Sequence, residues 1–436
     1  MNVPLGEAAT TGSRSEVVPG LRLPLTVFAA SLIVTLVFWA VLPAAWGIDE
    51  SSDYASFYRP VAGAVLQGRG LVRQDGTPAL RYPPGYPLIL AGVLSAAHAL
   101  GISEGAAIST FTLVAFACTS VLVWALAQLI WGGRTALGPA ALWMTYPFAL
   151  WLTKQPNSEI AFMVALYGAL LVFGRATLGS RSWSAYLLTG LLAGVAMLIR
   201  PIALGVGFFL SMLVLAARTW RWSSRIGAAS AILAGNLLVV LPWEVWVYEQ
   251  TGLVVPLSTG GVPSMRDGLT FAVRSRGFRE GTAVPADVRE LMTAIDRRYG
   301  ELDSVGAIVS ELRRQWRARP RAVLKLYGLK VARSWYGTDS QRLEPVIFVV
   351  QLFYGALCVL GAWKAWRLGG RARIATEGIW MVVVYFWGMN LVGLTLLRYM
   401  VPAIGLGLVL VPGIAIPIIG TEDSSQAGSA KGHTVR

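Results

Sequence analysis

Ten stretches of this chain are long and apolar enough to cross a bilayer, and that feature constrains everything else. A hydrocarbon core about 30 Å thick is spanned by about 20 residues of helix. Runs of that kind lie near 24–46, 106–130, 135–153, 158–174, 183–199, 201–217, 226–247, 343–363, 376–396 and 399–419. A helix apolar on every side has no face to offer water. Only 14% of the residues are charged and 55% are hydrophobic, against roughly 25% charged in an average soluble chain. A water-soluble globular enzyme is excluded, and the expectation is an all-α polytopic membrane protein with about ten transmembrane helices.

The formal charge of +14 points to the membrane and not to nucleic acid, because cytoplasmic loops of membrane proteins are rich in Lys and Arg. The chain has two cysteines, Cys118 and Cys358, both in apolar runs, so neither a disulfide framework nor a cysteine zinc site is available. With only His98 and His433, a multi-histidine metal site is excluded. The first run is too long for a cleaved signal and lacks a small-residue cleavage site in a polar context, so it reads as a retained anchor.

Charge sets the expected orientation. Arg134; Arg175 and Arg181; Arg218, Arg221 and Arg225; and Lys364, Arg367, Arg371 and Arg373 all fall in short connections, which are therefore cytoplasmic. They are mutually consistent if every run from 106 onward spans once. The apolar stretch 86–101 must then begin and end outside, lying in the interface or re-entering. The expected organisation is a cytoplasmic N-terminus 1–23 and a membrane module 24–247 with a first outer loop 47–105. A helical extracytoplasmic loop domain 248–342, C-terminal membrane helices 343–420 and a cytoplasmic tail 421–436 follow. In the loop domain Val288, Leu291, Ile295, then Ile308, Leu312, Trp316, Val323, Leu326 and Leu329 recur at helical spacing, and Pro320 should break the second stretch.

Ionisable residues are nearly absent inside the runs and gather at their outer ends. A transporter or flippase of lipid-linked sugars, the alternative reading, would be expected to keep charges or broken helices near the midplane. The first outer loop carries Asp49, Glu50 and Asp53 within five residues, directly after a membrane exit. By themselves these acids could be solvated or cap a helix starting near Tyr54.

The first outer loop carries, in order, Asp49-Glu50; Asp53 with Phe57, Tyr58 and Ala62; Leu66-Gln67-Gly68-Arg69-Gly70; and Arg81-Tyr82-Pro83-Pro84-Gly85-Tyr86-Pro87. This order of motifs resembles that of the GT-C membrane glycosyltransferases, and within them the protein mannosyltransferase and lipid A aminoarabinose transferase group. Thr153–Glu159, the stretch from Gly190 to Pro201, Val255–Gly261 and Arg398-Tyr399 are similar too. The resemblance implies a GT-C-like bundle with interfacial helices and an outer loop domain. It implies a transferase in the plasma or inner membrane, with its site on the extracytoplasmic face. The partners implied are a polyprenyl-phosphate sugar donor and a glycolipid, cell-wall polysaccharide or protein hydroxyl as acceptor. Inversion at the sugar carbon would follow from a first-loop carboxylate acting as general base.

Carried over residue by residue, the base is Asp53, with Asp49-Glu50 as the competing pair, and Glu159 is the acid of the second outer loop. Arg59, Arg81, Tyr82, Lys154, Arg200, Arg398 and Tyr399 are candidates for holding the donor phosphate or the substrates. Simpler readings stand beside these: a helix-dipole charge for Glu159, a plain turn at Pro83-Pro84-Gly85, and snorkelling for Lys154, Arg200 and Arg398. Glu244 is a candidate partner for one of the cations. No cofactor is implied with certainty. The loop 248–342 has no His, so a divalent ion would have to be held by carboxylates and be of the Mg or Mn type.

Overall fold

The computed structural model describes residues 21–42, 53–179, 182–217, 220–273, 284–338, 341 and 343–416. Among these, seventeen α-helices and no strand are found. In chain order they begin with α1 (Arg22–Val41), α2 (Arg59–Leu66), α3 (Gly85–Leu100), α4 (Glu104–Trp131), α5 (Leu137–Met144) and α6 (Pro147–Leu152). Then come α7 (Glu159–Leu178), α8 (Trp183–Ile199), α9 (Val206–Leu215), α10 (Trp222–Thr251), α11 (Gly261–Thr270) and α12 (Ala286–Asp296). The last are α13 (Val305–Ala318), α14 (Pro320–Arg333), α15 (Glu344–Leu368), α16 (Gly370–Val392) and α17 (Val401–Leu408).

All ten apolar runs become helix. Six helices (α1, α4, α7, α10, α15 and α16) are by themselves long and apolar enough to cross a membrane. The other runs are shorter or broken. The run 135–153 divides into α5 and α6 because Tyr146 is extended ahead of Pro147, whose ring disfavours helical backbone in the residue before it. The run starting at 201 opens with a short 3-10 turn, and another, Leu397–Tyr399, leads into the run starting at 399. Helix α3, with 16 residues, is about 24 Å long, short of the hydrocarbon core.

The packing is that of a protein solvated by lipid. Helix α1 turns Val27, Ser31 and Thr35 inward and leaves Ile33, Leu36 and Val37 exposed. In lipid, small and polar residues mediate helix contacts while large apolar ones face the acyl chains. Ser31 and Ser120 accordingly share a hydrogen bond of 2.9 Å between α1 and α4. Tyr167 of α7 donates to the Pro402 carbonyl at 2.8 Å, and Trp131 donates to that of Val409 at 2.8 Å. Glycine sets the crossing of α8 and α10. A Cβ at Gly190 would sit 2.0 Å from the Ile232 carbonyl oxygen, and one at Gly235 would sit 2.3 Å from that of Leu187.

Helices α11 to α14 have a separate core. Val288, Leu291, Ile295, Ile308, Val323 and Leu326 are buried there, with Leu312 and Leu329 partly so. Trp316, expected in the same stripe, is 48% exposed. Pro320 begins α14, after a break at Arg319.

Among the described residues, hydrogen bonds fasten this unit to the rest of the chain near its start and at its end. The Leu257 amide donates to Glu244 at 2.8 Å, and Trp243 donates to the Leu257 carbonyl at 2.8 Å. Glu244 therefore anchors the loop's first residues, and among the described residues no ion pair joins it to a site cation. The second fastening grips the strap 393–399 that follows α16. Buried Lys330 donates to the Gly393 carbonyl at 2.9 Å, the Leu394 amide donates to Ser264 at 3.1 Å, and the Leu397 amide donates to the Gly337 carbonyl at 2.8 Å. Arg333 and Glu344 close the same junction through two bonds of 2.9 Å. The strap ends at Arg398 and Tyr399.

Candidate active site

Asp53 precedes a single π-helical turn, Tyr54–Tyr58, in which the Arg59 amide reaches back to the Tyr54 carbonyl. Such turns put one extra residue into a helix and re-aim its side chains. Asp53 makes no capping bond through its side chain. Its carboxylate accepts a 2.8 Å hydrogen bond from the Tyr82 hydroxyl, from the far end of the first loop. Tyr82 packs edge-on against Phe57, with centroids 5.1 Å apart, and leans on Tyr58 at 5.3 Å. Burial, reinforced by the charge of Asp53, pushes the Tyr82 hydroxyl well above the usual tyrosine range. It therefore stays a donor to Asp53 at any physiological pH.

Tyr58 links this pair to a second cluster. It is fully buried, hydrogen-bonds to Ser158 and feels the charges of Arg200, Asp53 and Glu159. Burial is the largest influence and holds this phenol protonated as well. Beyond it, Arg200 lies 2.6 Å from Glu159 and donates to the Ser158 hydroxyl at 3.2 Å. Arg398 approaches Glu159 at 3.9 Å. The guanidinium carbons of Arg200 and Arg398 lie 5.1 and 5.2 Å from the ring centroid of Tyr399, and Arg398 also donates to its hydroxyl at 3.3 Å. Two cations thus share one carboxylate. Glu159 is 3% exposed, and its Oε2 has no hydrogen-bond partner among the described residues. Two arginines converge on one buried carboxylate, a set of charged planar donors suited to a phosphate.

Of the residues singled out from sequence, Asp53, Tyr82, Glu159, Arg200, Arg398 and Tyr399 come together through Tyr58 and Ser158. Arg81 lies beside them, its guanidinium 5.3 Å from the Tyr82 ring centroid. Arg59 and Lys154 are engaged elsewhere. Arg59 makes a bidentate pair with Glu104 at 2.9 and 3.1 Å, tying α2 to α4. Lys154 sits over the Trp39 ring at 4.8 Å. Asp49 and Glu50 lie outside the described residues. Sequence reasoning missed Ser158 and the bridging role of Tyr58; Tyr58 lay in a quoted motif, but nothing in the spacing announced a contact with residue 158. Trp335 and Tyr336 pack on Trp387 and Phe348, at centroid distances of 5.6 and 5.4 Å.

Among the described residues no group of three or more His, Cys, Asp and Glu is placed to hold a metal ion. The two site carboxylates do not offer a cation a ready donor set. Glu159 already faces two guanidiniums, and Asp53 accepts from Tyr82.

Residues 82–246 match the family described as dolichyl-phosphate-mannose-protein mannosyltransferase. No curated protein matches the chain in sequence. Among solved structures, the archaeal oligosaccharyltransferase AglB from Archaeoglobus fulgidus, in complex with an inhibitory peptide and a dolichol-phosphate, is similar with a TM-score of 0.53 and 11% identity. The match covers 90% of this chain and 50% of that one, so the chain spans about half the length of that protein. ArnT from Cupriavidus metallidurans, bound to undecaprenyl phosphate, aligns at a TM-score of 0.43 and 14% identity, covering 89% of this chain and 76% of that one. At 11% identity the likeness to the archaeal protein is one of fold. The chain is a multi-pass, all-helical membrane protein whose fold is similar to that of the archaeal oligosaccharyltransferase, and its residues 82–246 resemble the mannosyltransferase group.

Proposed function

We propose that this chain is an inverting glycosyltransferase that moves a sugar from a polyprenyl-phosphate donor to an acceptor hydroxyl on the extracytoplasmic face of the plasma or inner membrane. The observation that carries the reading is the pairing of two unlike clusters across Tyr58. On one side is a carboxylate, Asp53, oriented by Tyr82. On the other are two arginines that share one carboxylate, Glu159.

The chemistry follows from that pairing. A phosphate-linked sugar is attacked at C1 by the acceptor hydroxyl. The acceptor O–C1 bond forms as the C1–O(phosphate) bond breaks, and the polyprenyl phosphate leaves with the bonding pair. The hydroxyl proton passes to Asp53, which must be ionised and within hydrogen-bond reach. Tyr82 stays protonated, so it fixes the rotamer of Asp53 without competing for that proton. Arg200 and Arg398 would receive the developing charge of the phosphate, as always-charged planar donors suit. Tyr399 holds both guanidiniums in register. Glu159 Oε2 is free to accept from a sugar hydroxyl.

Three further points belong to this reading. Asp49 and Glu50 are second candidates for the base. The acceptor is a glycolipid, a cell-wall polysaccharide or a protein hydroxyl. The loop domain 248–342 lies on the outer side, and α3 lies in the interface. The dolichol-phosphate held by the archaeal protein of similar fold supports a polyprenyl-phosphate donor.

The test is an assay of purified protein in lipid nanodiscs with polyprenyl-phosphate sugar and extracted acceptor. Asp53→Asn is expected to keep donor binding and lose transfer by about 10²-fold or more. Unchanged transfer by that variant would remove Asp53 from the chemistry.

A further inference from the structure

A cavity of about 340 Å³ opens beside the turn that follows Asp53, and none of the side chains lining it is acidic. Its walls include Ser56 and Phe57, from the turn that follows Asp53, and Leu80 and Arg81, from the strand of loop that delivers Tyr82. Arg73, Pro78 and Thr259 complete it. The wall is shared with the catalytic pair, because Phe57 packs on the ring whose hydroxyl holds Asp53.

The local backbone is built to present these groups. Residues 71–79 fold back on themselves: the Arg73 amide donates to the Thr77 carbonyl at 2.8 Å, and the Ala79 amide donates to that of Leu71 at 3.0 Å. This turn sets Arg73 at the cavity. The start of the loop domain closes the opposite side, where the Thr259 amide donates to the Leu80 carbonyl at 2.8 Å. Gly260 lies so near that a Cβ there would stand 2.5 Å from the Arg81 carbonyl oxygen.

Among the described residues, the charge at the cavity is not internally neutralised. Arg81 faces the Tyr82 ring, and no carboxylate of these residues lies within ion-pair distance of it. Arg73 has one acidic neighbour, Asp75, at a loose 3.8 Å. That carboxylate is drawn into its own turn by the Thr77 amide at 3.0 Å and the Thr77 hydroxyl at 2.5 Å. Two arginines, two hydroxyls and an apolar wall are the lining expected of a site for a saccharide that carries an anion.

We propose that this cavity is the acceptor subsite and that the acceptor is an anionic saccharide, whose phosphate or carboxylate is gripped by Arg73 and Arg81 while the attacking hydroxyl reaches Asp53. This deepens the transferase reading and rests on it. The donor phosphate lies at the other cluster, on Arg200 and Arg398, so the two anions of the reaction are held by different arginines.

The experiment uses the full chain in nanodiscs, acceptor fractions (lipid and polymer, kept apart) extracted from cells lacking the gene, and a polyprenyl-phosphate sugar. The variants are Arg73→Ser with Arg81→Ser, and Arg73→Lys with Arg81→Lys. Both arginines are exposed, and the lysine pair controls for folding and charge. The Ser pair should raise the acceptor KM by roughly tenfold or more, the worth of one charge-assisted hydrogen bond. Its kcat and its binding of undecaprenyl phosphate should be unchanged, and the Lys pair should restore most of the loss. Fragmentation of the product should show phosphate or carboxylate on the saccharide that receives the sugar, and the fraction in which product forms tells a glycolipid from a polymer. A neutral saccharide or peptide as acceptor, or a wild-type KM for the Ser pair, overturns the proposal while leaving the transferase reading intact. Absence of any sugar transfer by the wild-type protein overturns both.

Discussion

The Tyr82 hydroxyl donates to Asp53 across 2.8 Å, and so joins the two ends of the first polar loop, 29 positions apart. The contact gives each residue a reason for its place. Tyr82 is held protonated by burial and by the carboxylate it faces. Asp53 is held in one rotamer by a donor that does not titrate in the working range. Tyr82→Phe removes the orienting bond but not the base. It should cost roughly tenfold or more in transfer, the worth of one hydrogen bond to a charged group, with donor affinity unchanged. A loss as large as that of Asp53→Asn would give Tyr82 a direct chemical role.

Glu159 tests the second cluster. Replacing it by Ala leaves Arg200 and Arg398 facing each other with no carboxylate, and Arg200 has a side chain only 13% exposed. Breaking a buried pair from one side costs about 3–5 kcal/mol. Glu159→Ala should therefore lower the thermal midpoint markedly. In a double-mutant cycle with Arg200→Ala, the two losses should fall short of additivity by more than about 1 kcal/mol. Additive losses would mean that the 2.6 Å contact carries no energy.

Lys330 gives a pH-dependent prediction. Burial pushes its ammonium down to about 7, against an ordinary value near 10.5. Between those limits the unfolded chain keeps a proton that the folded one has released, so the lysine's contribution to stability rises with pH. The thermal midpoint of the wild type minus that of Lys330→Met should become more positive from pH 7 to pH 10. A flat difference would show that Lys330 keeps its proton in the folded protein, through its bond to the Gly393 carbonyl.

The stretch from Gly190 to Pro201 was quoted from sequence as part of a family resemblance, and packing explains its glycines. Gly190 lies against the backbone of α10, and Gly194 lies against Val239 of the same helix. Gly190→Val should prevent accumulation of folded protein, as followed by fluorescence-detected size exclusion. Gly92→Val, where a Cβ meets open space, should not.

Apolar run length was enough to locate helix in all ten stretches, as far as the described residues extend, because a run of about 20 apolar residues has few fates besides a span. It was weaker where packing decides. Trp316 shares its helical stripe with buried Ile308 yet stands exposed, since burial depends on which helix comes to lie over that face. At the site, the carboxylates and arginines at outer helix ends could be picked out by charge and resemblance. Their partners could not. Arg59 looked equivalent to Arg200 in sequence, and only the fold pairs one with Glu104 and the other with Glu159. Glu244 was expected to meet a cation and instead accepts from a backbone amide. Long-range contacts such as Tyr58 with Ser158 leave no trace in local spacing.

The central claim is a transfer from lipid-linked sugar with Asp53 as its base. It is tested most directly by mass spectrometry of polyprenyl-phosphate sugars and outer glycans. The cells compared lack the gene and carry either the wild-type gene or the Asp53→Asn variant. The account predicts that one polyprenyl-phosphate sugar accumulates in the deletion and in the Asp53→Asn strain. That same sugar should be missing from one outer product, and the wild-type gene should reverse both changes. A sugar pool and product set identical in the wild-type and Asp53→Asn strains would contradict it.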